Sequence, residues 1–247
     1  MTSPPDPDRA LAALAERIRM ARRVTILTGA GVSAASGVPT FRGSGGLWRS
    51  FRAEDLATPR AFARDPGLVW EWYDWRRSML ATCLPNPAHE VLARWSREPG
   101  VTLVTQNVDG LHERAGARDV VRFHGSIWRL RCTGRCGTEE WEDRRTPLPE
   151  VPPRCDTCGA LARPGVVWFG EAIEPGVLRR AFEATACDVF LSVGTSSLVQ
   201  PAAGLASQAK AGGAFTAEVN PEPTGMAQYL DLAIALPAER ALPALGV

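Results

Sequence analysis

Four of the six cysteines stand as Cys132-x3-Cys136 and Cys155-x2-Cys158, with 18 residues between the pairs. Paired thiolates at such spacing can occupy the four corners of a tetrahedral Zn²⁺ site, and four protein ligands leave no open position for substrate. A zinc bound there is structural. Four unrelated thiols are the competing reading; a nucleic-acid-binding zinc ribbon is another, although the intervening segment is nearly charge-balanced and lacks a basic helix. A second cluster is the run GAGVSAASGVPTFRG, Gly29 to Gly43, directly after the apolar stretch Val24 to Thr28. Glycines at a strand end let backbone approach a pyrophosphate, and a following helix N-terminus offers N–H groups and a positive dipole end. The run misses the usual GxGxxG, because Ala34 holds the third glycine position, and no acidic residue lies about 20 residues on to hold a ribose. A hydride-transfer enzyme of ordinary pattern is therefore disfavoured, while Arg42 could fold back over a phosphate or ribose.

TQNVDGLH follows the apolar run Val101 to Thr105 and supplies Gln106, Asn107, Asp109 and His112. Amide and carboxylate groups at a strand's carboxyl end suit a polar ligand such as a carboxamide. A turn capped by Asn and Asp is the simpler alternative for one or two of them. The chain has three histidines, His89, His112 and His124, so few groups can move protons near neutral pH. His124, in VVRFHGS between the nucleotide-type segments and the cysteine pairs, has the position of a base; His112 could simply pack or cap.

The elements that must carry these residues alternate. An amphipathic helix is predicted from about Asp8 to Arg22, then strands at Val24 to Thr28, Val101 to Thr105, Asp188 to Gly194, Phe215 to Asn220 and Leu230 to Leu236. Helix-like stretches span about 88–97, 176–186 and 201–211, and the Ser/Ala-rich residues after Gly31 could open a further helix. Strands alternating with helices imply an α/β fold, a Rossmann-like parallel sheet with helices on both faces. Residues 1–45, 86–127 and 165–247 would form it; 46–85, rich in Trp and Arg, a helical insertion; and 128–164 a small zinc-binding module whose core is too meagre to stand without metal.

Composition narrows the partners. Lys plus Arg total 28 against 27 acidic residues, so no overall field recommends nucleic acid or an anionic membrane. No run approaches the roughly 18 apolar residues of a membrane span, and MTSPPDPDRA has neither the basic nor the apolar part of a secretory signal. A cytoplasmic, thiol-reducing setting is expected, where crowded cysteines bind metal rather than pair.

Taken together and in order, GAGVSAASGVPTFRG, TQNVDGLHERAG, FHGS, the cysteine pairs, RPGVVWFGE, VGTSS and EVNPEPT resemble the sirtuin family of NAD-dependent protein lysine deacylases. The resemblance implies that Gly29, Ala30 and Gly31 with Arg42 hold the phosphates and ribose of NAD, that Gln106, Asn107 and Asp109 form its nicotinamide and ribose pocket, and that Ser33, Phe41 and Trp48 also belong to the cofactor-binding set. Gly194, Thr195, Ser196, Asn220, Glu222 and Ala238 would take the adenosine half. Val167, Trp168, Phe169 and Gly170 would pair with an acylated-lysine protein or peptide as an added strand. His124 would be the general base, activating a ribose hydroxyl after the acyl oxygen has displaced nicotinamide; the products are free lysine, nicotinamide and O-acyl-ADP-ribose, with NAD consumed and one structural zinc retained. Tyr73 and Arg76, a Y-x-x-R pair on one helical face, resemble the class III branch, which removes succinyl, malonyl or glutaryl groups; Thr40 and the small Ala57 agree with it. Alternatives are protein mono-ADP-ribosyl transfer on the same fold, and a non-enzymatic NAD or zinc-ribbon interaction module.

Overall fold

The strands β1 (Val24–Thr28), β2 (Leu47–Trp48), β3 (Phe51–Arg52), β4 (Val101–Thr105), β5 (Val121–Arg122), β6 (Gly125–Cys132), β7 (Trp141–Glu142), β8 (Ala162–Val166), β9 (Val189–Val193), β10 (Phe215–Asn220) and β11 (Leu232–Ala235) divide among three sheets. The computed structural model describes residues 6–39, 47–48 and 51–246. The largest sheet has the order β11-β10-β9-β1-β4-β5, every neighbouring pair parallel. Read from β5, this is the 3-2-1-4-5-6 order of dinucleotide-binding folds, and β1 and β9 are the adjacent strands at which the winding reverses. Both are buried along their whole length, as a strand covered on two faces requires.

The helices are α1 (Pro7–Met20), α2 (Ala53–Leu56), α3 (Pro59–Arg64), α4 (Pro66–Thr82), α5 (Pro87–Trp95), α6 (Leu111–Arg114), α7 (Pro175–Glu183), α8 (Gly204–Ala211) and α9 (Ala238–Ala244). On one face of the sheet, α1, α5 and α9 bury Leu14, Leu92 and Leu242 against Ile26, Leu103 and Leu191. On the other, α7 and α8 bury Ala181 and Leu205 against Leu27, Val104 and Phe190. None of these helices is long and apolar enough to cross a membrane, among the described residues.

Several expected elements differ in their bounds, the strand expected over Asp188 to Gly194 running Val189–Val193, and three differences have a visible local cause. The first helix stops at Met20 rather than Arg22, because the N–H groups of Arg22 and Arg23 both turn to the Asp188 carboxylate at 2.8 Å. The last strand is trimmed to Leu232–Ala235, since Leu230 closes a 3-10 turn by donating its N–H to Ala227 at 3.2 Å. After β1 the chain forms a 3-10 helix, Ala30–Ser36, rather than an α-helix, and Gly37 ends it at φ +83°.

The Trp-rich segment and the cysteine-bearing segment share one core. Trp70, Trp72, Tyr73 and Leu80 of α4 pack with Ile127, Trp128, Leu130, Ala162 and Val166 of the antiparallel sheet β7-β6-β8. A buried cation joins the same two parts. Arg77, with no exposed side-chain surface, donates from Nη2 to the Asp143 carbonyl at 2.5 Å, to Asp143 Oδ1 at 3.1 Å and to the Arg145 carbonyl at 3.0 Å. A guanidinium so enclosed depends on its counter-charge, so Asp143→Ala is expected to destabilise the protein by about 3–5 kcal/mol. The denaturant midpoint measures this, and a shift below about 1 kcal/mol would show that the pair contributes little.

Candidate active site

At the carboxyl ends of β1 and β9 two backbones touch. The Gly29 N–H donates to the Val193 carbonyl at 3.0 Å and the Gly31 N–H to the Gly194 carbonyl at 2.8 Å. A Cβ on either glycine would lie 2.8 Å from Gly194 atoms, and one on Gly194, itself at φ +60°, would lie 2.4 Å from the Val32 nitrogen. What these glycines offer a ligand is close approach, since the N–H groups of Gly29 and Gly31 are already engaged. The contact gathers neighbours: Thr195 Oγ1 accepts from Gln106 Nε2 at 2.9 Å, and the Thr195 carbonyl accepts from Asn220 Nδ2 at 2.9 Å. Strands β1, β4, β9 and β10 thus present Gly29, Gln106, Thr195 and Asn220 at one crevice. Ala30 opens the 3-10 helix; Ala238 opens α9, which packs on that helix. Ser196 is half-buried and Glu222 exposed.

Ser33 is the hub of the polar network beside this contact. Its hydroxyl donates to Asp109 Oδ2 at 2.8 Å and accepts from Asn107 Nδ2 at 3.2 Å, while the same amide reaches the Gly29 carbonyl at 3.1 Å. Burial pushes the Asp109 carboxyl up, against the opposing hydrogen bonds from the Leu111 N–H and Ser33. His89 Nε2 lies 3.3 Å from Ser33 Oγ, and its Nδ1 accepts the Asn86 N–H at 3.2 Å. Accepting at Nδ1 puts the ring proton on Nε2, which therefore donates to Ser33. Burial, and then His112, hold His89 down to about 3, and burial holds His112 at about 4, so both are neutral at pH 7. His112 Nε2 lies 2.9 Å from Thr28 Oγ1, beneath the site. The sequence reading gave His89 no role. Its signal was available in Asn86-Pro87-x-His89, an N-cap with a polar partner at N3, but the capping box predicts a helix end and says nothing of Ser33.

His124 follows β5 and contacts Gln106, the residue that follows β4. Its Nδ1 is 3.1 Å from the Gln106 carbonyl, and a carbonyl can only accept, so Nδ1 carries the proton and Nε2 the lone pair. Burial lowers its pKa, outweighing that hydrogen bond, so the ring is a neutral base at pH 7. The His124 carbonyl accepts the Val167 N–H at 3.0 Å, which sets His124 beside the segment that follows β8. In that segment the N–H groups of Val167, Trp168 and Phe169 are all engaged within the chain, with His124, Glu171 and Ala57. Strand addition there would use carbonyls and the Gly170 N–H. Tyr73 and Arg76 approach the same region from α4: Tyr73 Oη accepts from Trp168 Nε1 at 2.9 Å, and the Arg76 guanidinium lies 5.2 Å from the Trp72 ring centroid, within electrostatic reach of Tyr73 and Asp109. Phe41, Arg42 and Thr40 lie outside the described residues, and for Trp48 the description extends to its place in β2.

The four thiols converge as their spacing predicts. Their sulfurs all lie within 4.8 Å of one another, with Cys132 to Cys136 and Cys132 to Cys158 at 3.5 Å and Cys136 to Cys155 at 3.8 Å. Four sulfurs about 2.3 Å from a tetrahedral zinc stand about 3.8 Å apart, so the donor set fits that ion. The longer first spacer is absorbed at Gly134, whose N–H donates to Cys132 Sγ at 3.2 Å and whose missing Cβ would lie 3.0 Å from Cys158 Sγ. Metal analysis of the purified protein should find one zinc per chain. Cys155→Ser is expected to lose it and to lower the melting temperature; an unchanged metal content would remove the tetrathiolate assignment.

An open parallel sheet in dinucleotide-binding order, with a polar crevice at its reversal point and a tetrathiol module on the insertion, defines an α/β nucleotide-binding protein. The model of the Sir2 family matches residues 29–201. The chain is 53% identical over 211 residues to the NAD-dependent protein deacylase of Aquifex aeolicus, covering 85% of this chain and 87% of that one. It is 49% identical over 234 residues to NAD-dependent protein deacylase 2 of Pyrobaculum aerophilum, covering 94% and 93%. A solved complex of a Sir2 homologue with NAD superposes with a TM-score of 0.90 at 42% identity, covering 99% of this chain and 94% of that one. The chain belongs to the Sir2 family.

Proposed function

We propose that the chain is an NAD-dependent protein lysine deacylase in which His124 is the general base. The observation that carries this is the Nδ1 contact of His124 with the Gln106 carbonyl, which leaves Nε2 unprotonated beside a crevice built for a dinucleotide. NAD supplies the ribose carbon that exchanges nicotinamide for the acyl oxygen, so that water addition leaves free lysine and O-acyl-ADP-ribose. Around it, Gly29, Ala30 and Gly31 admit the phosphates by close backbone approach, Gly194, Thr195, Ser196, Asn220, Glu222 and Ala238 flank the adenosine half, and Gln106, Asn107 and Asp109, with Ser33 bonded to the last two, present amide and carboxylate groups to the carboxamide and ribose. Phe41, Arg42 and Trp48 complete the cofactor set by family resemblance, and Val167 to Gly170 border the peptide. His124→Ala should reduce O-acyl-ADP-ribose formation by about 10²–10⁴-fold. The base is competent when neutral, and burial lowers its pKa, so the acid limb of kcat/KM should fall below pH 6.5, the ordinary histidine value. A limb above that, or full turnover in the alanine variant, would exclude His124 as the base.

The acyl group removed is read as one ending in a carboxylate. Tyr73, buried and held as a neutral phenol by burial that pushes it up to about 12, is a donor at pH 7, and Arg76 adds a cation three residues on along the same helix face. A phenol and a guanidinium together match a carboxylate through charge-assisted hydrogen bonds. Ala57, small and buried, adjoins the Phe169 N–H through its carbonyl and leaves room for a longer chain. Arg76→Met should lower kcat/KM for succinyl-lysine peptide about 10–100-fold more than for acetyl-lysine peptide, the equivalent of one charge-assisted bond of about 1.5–3 kcal/mol. Equal losses on the two substrates would remove the carboxylate reading.

A further inference from the structure

The Tyr73 hydroxyl has one proton and two lone pairs, and which it presents to a ligand depends on its other partner. That partner is Trp168. An indole N–H can only donate, so the 2.9 Å contact from Trp168 Nε1 makes the Tyr73 oxygen an acceptor there and turns its own proton elsewhere. The indole has little freedom to do otherwise. One contact is the Arg163 guanidinium, stacked 3.5 Å from the Trp168 ring centroid; another is Phe62, its ring centroid 5.3 Å away. Arg163 is held in turn, donating to both oxygens of Glu171 at 2.5 and 2.9 Å and to the Val166 carbonyl at 2.9 Å. Glu171 Oε2 closes the ring by accepting the Trp168 backbone N–H at 2.9 Å. On the other side, Trp72 fixes the Tyr73 ring edge-on with centroids 4.6 Å apart.

We infer that Trp168, locked by Arg163 and Glu171, is a specificity-positioning residue: it occupies the acceptor side of the Tyr73 hydroxyl and so commits that hydroxyl to donate to an acyl carboxylate. This rests on the reading of Tyr73 and Arg76 as the pair that receives the acyl carboxylate. The consequence is two-sided. A carboxylate-ended chain accepts the directed proton, whereas a short neutral chain leaves a buried donor without an acceptor, and sites built for a polar group discriminate strongly against ligands that lack it. A phenol whose oxygen already accepts a hydrogen bond is also a somewhat stronger donor.

The test is steady-state kinetics on succinyl- and acetyl-lysine peptides of one sequence, with NAD, for the full-length parent, Trp168→Phe, Tyr73→Phe and the double variant. Trp168→Phe keeps an aromatic ring for Arg163 and removes the N–H. It should lower the succinyl-to-acetyl ratio of kcat/KM about 5–10-fold, through the KM for succinyl peptide, as expected for one hydrogen bond. In the Tyr73→Phe background it should change the ratio no further. Proportional loss on both substrates, or ratio effects that multiply in the double variant, would overturn the role of Trp168 while leaving the carboxylate reading intact. A ratio unmoved by both Tyr73→Phe and Arg76→Met would instead fell the carboxylate reading and this inference with it. Should Trp168→Phe fail to fold, Arg163→Met, which removes the stacked cation, is expected to lower the ratio in the same direction, and an unchanged ratio there counts against the inference.

Discussion

The crevice depends on a backbone contact that no side chain would permit. Gly29 and Gly31 at the end of β1 lie against Gly194 at the end of β9, at separations that a Cβ on any of them would close to under 3 Å. Two parallel strands diverge in their connections at a reversal point, and here the following turns are drawn back together by hydrogen bonds from Gly29 and Gly31 to Val193 and Gly194. The tight 3-10 course of residues 30–36 follows, and with it the position of Ser33 over Asn107 and Asp109. A bulkier residue at any of the three positions would separate the turns and undo the polar network before it reached a ligand.

Burial then decides what that network can do. Desolvation is the first cause of the shift in Asp109, His89, His112, His124 and Tyr73 alike, and in each it favours the neutral form. Neutral histidines have one donor and one acceptor nitrogen, so each hydrogen bond fixes what the other side of the ring offers. Asn86 assigns His89 to donate to Ser33, and Gln106 assigns His124 to keep a lone pair. The site is specified by such pairings more than by charge, which accords with a chain whose net charge is +1.

The cysteine-bearing sheet meets the proposed site through two strand ends. β6 begins at Gly125, immediately after His124, and β8 ends at Val166, immediately before Val167; Gly125 and Val166 are paired in register. Gly125 stands at φ +78°, where a Cβ would meet the Gly165 carbonyl at 2.1 Å. This crossing carries the His124 carbonyl to the Val167 N–H and so joins the two segments across the sheet. Sheet β7-β6-β8 is in turn seated on α4, which brings Tyr73 to Trp168 and buries Arg77 against Asp143. The cysteines therefore lie at the opposite end of the β6–β8 pair from His124 and Val167.

Much of this is legible in the amino-acid sequence. The strands at Val24–Thr28, Val101–Thr105 and Phe215–Asn220 have the predicted bounds, because short apolar runs closed by glycine or polar residues are local signals. The cysteine spacing implied a tetrathiol cluster for the same reason: a metal knuckle is built from near neighbours. Family motifs singled out Ser33, Asn107, Asp109 and His124. Other features had no local sign. The 3-10 turn results from glycines meeting a strand end more than 160 residues away, as in the Gly31 to Gly194 bond. His89 reaches Ser33 across 56 positions, and Trp168 reaches Tyr73 across 95. Periodicity and turn chemistry are nearest-neighbour properties, so they determine which elements form and which residue types are available. Which atom donates and which accepts is settled only when distant segments meet in a space that excludes water, and that was decided by the tertiary structure.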